Sequence, residues 1–115
     1  MNEKIVFVSA DVFFWARVTS LAKTLGREAV RVGDEAAMDA AFRAGGVSRV
    51  IVDLSCRSVD ALAWVPRWRA TTPSPHLIAF GSHVNEEALA AARDAGFDLV
   101  MPNSKFNHQL AEWLS

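Results

Sequence analysis

Three consecutive β-branched apolar residues, Val50-Ile51-Val52, run straight into Asp53 near the middle of the chain. An apolar run without alternation marks a strand covered on both faces. A central parallel strand between two helical layers has that environment. Ile5 to Val8 is a second such run, and Leu77 to Phe80 and Leu99 to Met101 read as two more. Glu28 to Val32, where Ala29 and Arg31 alternate with Val30 and Val32, reads as a short edge strand. Asp53 would then stand at the carboxyl end of the middle strand, where open α/β sheets keep their sites.

Helical patterns fill the intervals. Val12 to Leu25 places Phe14, Val18, Leu21, Ala22 and Leu25 on one face, and Gly26 suits the position after its end. Asp34 is expected to cap a helix to Arg43, and Ser58 the next one, which carries Leu62, Trp64, Val65 and Trp68. Pro66 should kink or split that helix. Asn85 caps Glu86 to Ala95, Gly96 ends it, and Asn107 to Leu114 forms a last short helix. The result is one α/β domain, residues 1–115. Its architecture is a three-layer, doubly wound, five-stranded parallel sheet in the order 2-1-3-4-5. In that order the loops after strands 1, 3, 4 and 5 line one crevice. Ser9, Asp11, Asp53, Ser82, Asn103 and Lys105 all fall there.

With 12 basic and 13 acidic residues the formal net charge is −1, which gives no reason to expect a nucleic acid or an anionic membrane as partner. No stretch reaches the roughly 20 apolar residues of a membrane span. The apolar N-terminal stretch is interrupted by Asp11 and Arg17 and lacks a small-residue cleavage site, so it does not read as a signal peptide. A single cysteine, Cys56, permits no intramolecular disulfide and favours a reducing compartment, hence a cytoplasmic setting. His76, His83 and His108 are too scattered for a metal site, and Cys56 reads as a free thiol. There is no G-x-G-x-x-G and no P-loop, so the pattern argues against a nucleotide enzyme, and no enzymatic activity is expected.

Over its whole length the sequence resembles response-regulator receiver domains. The markers are Val50-Ile51-Val52-Asp53 and Ala95-Gly96-Phe97-Asp98, which is similar to the family's Ala-Gly-Ala-Asp segment. The resemblance implies that Asp53 accepts a phosphoryl group. It also implies an acidic pair ending strand 1 that helps hold Mg²⁺, a Ser or Thr ending strand 4, and a Lys followed by Pro ending strand 5. Here the acidic pair falls on Ser9 and Ala10, with Asp11 one residue late. The hydroxyl position falls on Gly81, with Ser82 one residue late. The lysine falls on Asn103 and its proline on Ser104, with Lys105 two residues on. Magnesium usually takes more than one carboxylate plus phosphate oxygens, so these losses matter.

The reading is therefore a stand-alone, degenerate receiver-like signalling module. It would work through contacts with a protein partner or a second copy, without Mg²⁺-dependent phosphorylation and without a resident cofactor. One alternative is a phospho-accepting single-domain response regulator that uses Asp53, with Asp11 and Asp53 on Mg²⁺. Another is a small-molecule site in the crevice. In receivers the face built from helix 4, strand 5 and helix 5 is the usual output and dimer surface, which implies Glu86 to Leu114 here. The chain has four tryptophans and no tyrosine. Phe13, Phe14 and Trp15 in succession point in different directions, so a large aromatic should be exposed. Trp15 and Trp113 are the expected interaction residues.

Overall fold

Each apolar run becomes a strand of one parallel sheet, and the period of two inside the runs decides which layer a side chain enters. The computed structural model describes residues 3–115. Its elements are β1 (Lys4–Val8), α1 (Val12–Thr24), β2 (Glu28–Val32), α2 (Glu35–Ala44), β3 (Val47–Asp53), α3 (Ala61–Arg69) and β4 (His76–Gly81), then α4 (Glu86–Ala95), β5 (Leu99–Pro102), α5 (Asn103–His108) and α6 (Leu110–Leu114). The strands lie in the order β2-β1-β3-β4-β5, every neighbouring pair parallel. This is the doubly wound α/β arrangement expected.

Val6, Val8, Val50, Val52, Leu77 and Ala79 enter the layer that holds Met38, Trp64, Trp68 and Phe97. Ile5, Phe7, Ile51, Ile78 and Phe80 enter the opposite layer, with Val18, Ala22, Phe106, Leu110 and Leu114. So α2, α3 and α4 cover one face, and α1, α5 and α6 the other. Phe80 and Phe106 stack with centroids 4.0 Å apart, and Phe14 leans on both, 5.4 Å from Phe80 and 5.7 Å from Phe106. That aromatic stack lies beneath the carboxyl ends of the strands and ties α1 and α5 to β4.

The helix starts follow side-chain capping. Asp34 accepts the Ala37 N–H at 2.8 Å and Asn85 the Ala88 N–H at 3.2 Å. Gly96 takes φ 108 at the end of α4, a left-handed conformation that glycine adopts without strain.

Three local expectations give way. Ser58 does not cap α3; its hydroxyl donates to the Gly33 carbonyl instead. The helix starts after Asp60, and its first polar groups are met from across the layer by Glu35. That carboxylate accepts the Asp60 N–H at 2.6 Å and the Trp64 indole N–H at 2.8 Å. Pro66 does not divide α3, which runs unbroken from Ala61 to Arg69. Trp64 and Val65 before the proline and Trp68 after it are all buried, so the same core holds both sides of the weak point. The C-terminal helix begins at Asn103, earlier than expected, and is interrupted at Gln109. Pro102, with φ −71, ends β5 and leads straight into the first turn, where its missing N–H is not needed.

Candidate functional site

Asp53 is the last residue of β3, next to Phe80 across β4. It is 8% exposed, and both carboxylate oxygens are held. Oδ2 accepts the Ser9 hydroxyl at 2.9 Å. Oδ1 accepts the Ser55 N–H at 2.9 Å and the Ser55 hydroxyl at 2.6 Å. Ser9 is fully buried, and its oxygen in turn accepts the Asp11 N–H at 3.1 Å. The acid at the centre of the crevice is thus not presented to solvent. It is bound by neutral donors from the loops after β1 and β3, and no salt bridge reaches it among the described residues.

Asp11 faces a different task. Its Oδ1 accepts the N–H groups of Phe13 and Phe14, each at 3.0 Å, and so caps α1. Among the described residues no group of three His, Cys, Asp or Glu side chains stands close enough to hold a metal ion. Magnesium needs a near-octahedral shell of oxygens, usually with more than one carboxylate from the protein. Asp53 backed by a serine, with Asp11 spent on a helix start, does not fit that requirement.

The remaining crevice residues stand apart from the acid. Ser82 is exposed in the turn after β4, its hydroxyl accepting the Val84 N–H at 3.4 Å and its carbonyl the Asn85 N–H at 3.0 Å. Asn103 is exposed at the start of α5, and its carbonyl accepts the Asn107 side-chain amide at 2.9 Å. Lys105 is exposed two residues further along. Of the crevice residues expected from the sequence, only Ser9 is hydrogen-bonded to Asp53. At Gly81 a side chain would be a tight fit: a Cβ there would lie 3.3 Å from the Leu54 Cβ, which would have to give slightly, and 3.6 Å from a Leu89 methyl. Cys56, half-buried, has its sulfur 3.4 Å from the Ser58 hydroxyl.

Trp15 and Trp113 are half-buried rather than exposed. Trp15 stacks on Phe7 at 6.1 Å, and Trp113 packs against the same cluster. Trp64 and Trp68 are buried in the other layer. The large aromatic that stands out in water is Phe13, 84% exposed, with Val12 beside it at 56% and Val84, in the loop before α4, at 77%. All three follow the carboxyl ends of strands. Ser55 is the functional neighbour that sequence reasoning overlooked. Its signal was the spacing Asp53-Leu54-Ser55, which lets a carboxylate bond the N–H two residues on.

No protein-family model matches the chain, and no curated protein matches it by sequence. Solved structures do. A CheY-like receiver domain protein from Methanospirillum hungatei superposes with a TM-score of 0.77 at 13% identity, over 99% of this chain and 94% of that one. A response regulator from Burkholderia pseudomallei, described with a phosphorylated aspartic acid, a calcium ion and citrate, gives 0.79 at 11% identity, over 99% of this chain and 67% of that one. An orphan response regulator of H. pylori gives 0.74 at 12% identity, over 98% and 97%. Topology, strand order and near-complete superposition agree that this chain has the CheY-like fold of response-regulator receiver domains.

Proposed function

We propose that this chain is a degenerate receiver-like signalling module that acts by binding protein partners in the cytoplasm, without Mg²⁺-dependent phosphoryl transfer at Asp53. The observation that carries the reading is the hydrogen bonding of Asp53: Ser9 occupies one carboxylate oxygen and Ser55 the other. Phosphorylation would demand that these donors let go and that three new anionic oxygens be offset by cations. The charge-stabilising groups such a step relies on are a metal and a lysine. Here Asp11 caps a helix, and the position expected to hold lysine is Asn103.

The contact surface best supported is the apolar rim of Val12, Phe13 and Val84, with Trp15 stacked on Phe7 behind the first two; Trp113 packs at the other end of the sheet, near Arg49. Exposed aromatic and aliphatic side chains concentrate at protein interfaces. The partner is another signalling protein or a second copy of the chain, met through this rim or through the face from Glu86 to Leu114.

Amide spectra recorded during titration with Mg²⁺ and beryllofluoride test the proposal. No saturable change is expected. A saturable response that disappears in Asp53→Asn would overturn it and establish the phospho-accepting alternative. Intact mass after incubation with a small phosphodonor gives the same decision independently.

A further inference from the structure

The outer face of α1 carries two kinds of side chain. Val12 and Phe13, at its start, are 56% and 84% exposed. Ala16, Arg17, Ser20 and Thr24 follow them at steps of three or four residues, so they extend the same stripe toward the helix end. These four form one wall of a groove of about 650 Å³, and Asn107 and His108 of α5 form part of the other. Arg17 reaches across it. Its Nη1 donates to Asn107 Oδ1 at 3.0 Å, and its guanidinium stands 5.6 Å from the centre of the Phe14 ring.

Charge sets this groove apart. Neither α1 nor α5 contains a carboxylate, although the whole chain has a formal net charge of −1. Arg17, Lys23, Lys105 and His108 are exposed, and no salt bridge reaches any of them among the described residues. Two acids stand close in sequence. Asp11 is spent on capping α1, and Glu112 of α6 does not line the groove. Three cations and a histidine on two helices are too few to track a phosphate backbone, which favours a protein as partner. Helical walls bond their own backbone groups and offer a partner only side chains, so the occupant must satisfy its own main chain, as a helix does.

We infer that the groove between α1 and α5 receives an acidic, amphipathic helix of a protein partner, its apolar residues on Val12 and Phe13 and its carboxylates facing Arg17, Lys105 and His108. This rests on the partner-binding reading above and adds the partner's chemistry. The probe is a helix-forming peptide of about 16 residues, built from Ala, Leu and Glu with the leucines on one face. Its control has Lys at every Glu position. Each is titrated into the unaltered chain while the assigned backbone amides are followed by NMR. The Glu peptide should shift amides of α1 and α5 saturably, bind about tenfold tighter than the Lys peptide, and weaken as salt is raised. Arg17→Glu combined with Lys105→Glu should reverse the preference, and Phe13→Ala should weaken the Glu peptide several-fold. Equal binding of the two peptides, no binding, or shifts confined to α4 and β5 overturns the inference. So does tighter binding of a DNA duplex or of phosphatidylglycerol vesicles than of the Glu peptide. Failure of the underlying reading is a separate result: it is the saturable response to Mg²⁺ and beryllofluoride, seen at Asp53 and not in the groove.

Discussion

Ser9 and Asp53 are the pair on which the carboxyl end of the sheet closes. The serine hydroxyl links two strands' ends, since it donates to Asp53 and accepts from Asp11 in one stroke. Ser9→Ala removes a donor from a buried carboxylate and an acceptor from a backbone N–H. It should lower stability by about 1–3 kcal/mol, read from urea unfolding. Asp98 offers a second test, in pH rather than in chemistry. Burial alone would raise its pKa, but the Leu77 N–H, the Arg69 guanidinium and the charge of His76 together bring it below the ordinary 3.8. A lowered carboxylate pKa adds stability above the ordinary value and loses it as pH falls through the lowered one. Asp98→Asn should therefore be less stable than the parent at neutral pH, with the gap narrowing as pH drops below about 4. The side chain is 35% exposed, so screening keeps the neutral-pH difference under about 1 kcal/mol. Thermal melts of both proteins across the acid range check the direction.

Helix α3 shows where local sequence rules stop. Its propensity argues for a break at Pro66 and its polar pattern for a cap at Ser58. The structure has neither, because Glu35 on α2 satisfies the start of α3 and the tryptophans anchor its length. Pro66 still leaves the Leu62 carbonyl without its helical donor. Its side chain is exposed, so Pro66→Ala restores that bond without disturbing the core. It should stabilise the protein by about 1 kcal/mol or more, measured as a higher urea midpoint with unchanged slope. The strands, by contrast, were legible throughout. Val50-Ile51-Val52 could be placed because burial on both faces leaves no room for polar residues. The location of Asp53 was legible for the same reason. What surrounds it was not: Ser9 and Ser55 act across 44 and 2 residues of separation, and only the Ser55 bond has a local signature; at the start of α3, Glu35 acts across 25 residues and was equally hidden. Phe13 was hidden too, because a run of Phe-Phe-Trp says that some ring must face water without saying which.

For the molecule as a whole, the sheet supplies a receiver's frame while the crevice lacks a receiver's charges. Millimolar Mg²⁺ should leave the melting temperature of the parent unchanged, since a ligand shifts stability only in proportion to its binding of the folded state. Ser9→Asp places a second carboxylate against Asp53. In that variant the melting temperature should fall without Mg²⁺, from like-charge repulsion, and recover when Mg²⁺ is added. Scanning calorimetry with and without the ion reads both effects, and a parent that responds to Mg²⁺ as strongly as the variant would contradict the account. Gly81, at the end of β4, marks where the crevice is tightest. A side chain there needs Leu54 to give ground by a few tenths of an ångström, since its Cβ would lie 3.3 Å from the Leu54 Cβ. With the acid tied by two serines and the end of β4 backed by leucine, the rim has little slack at its centre, whereas Phe13, out in water, is the place where a substitution would disturb the fold least.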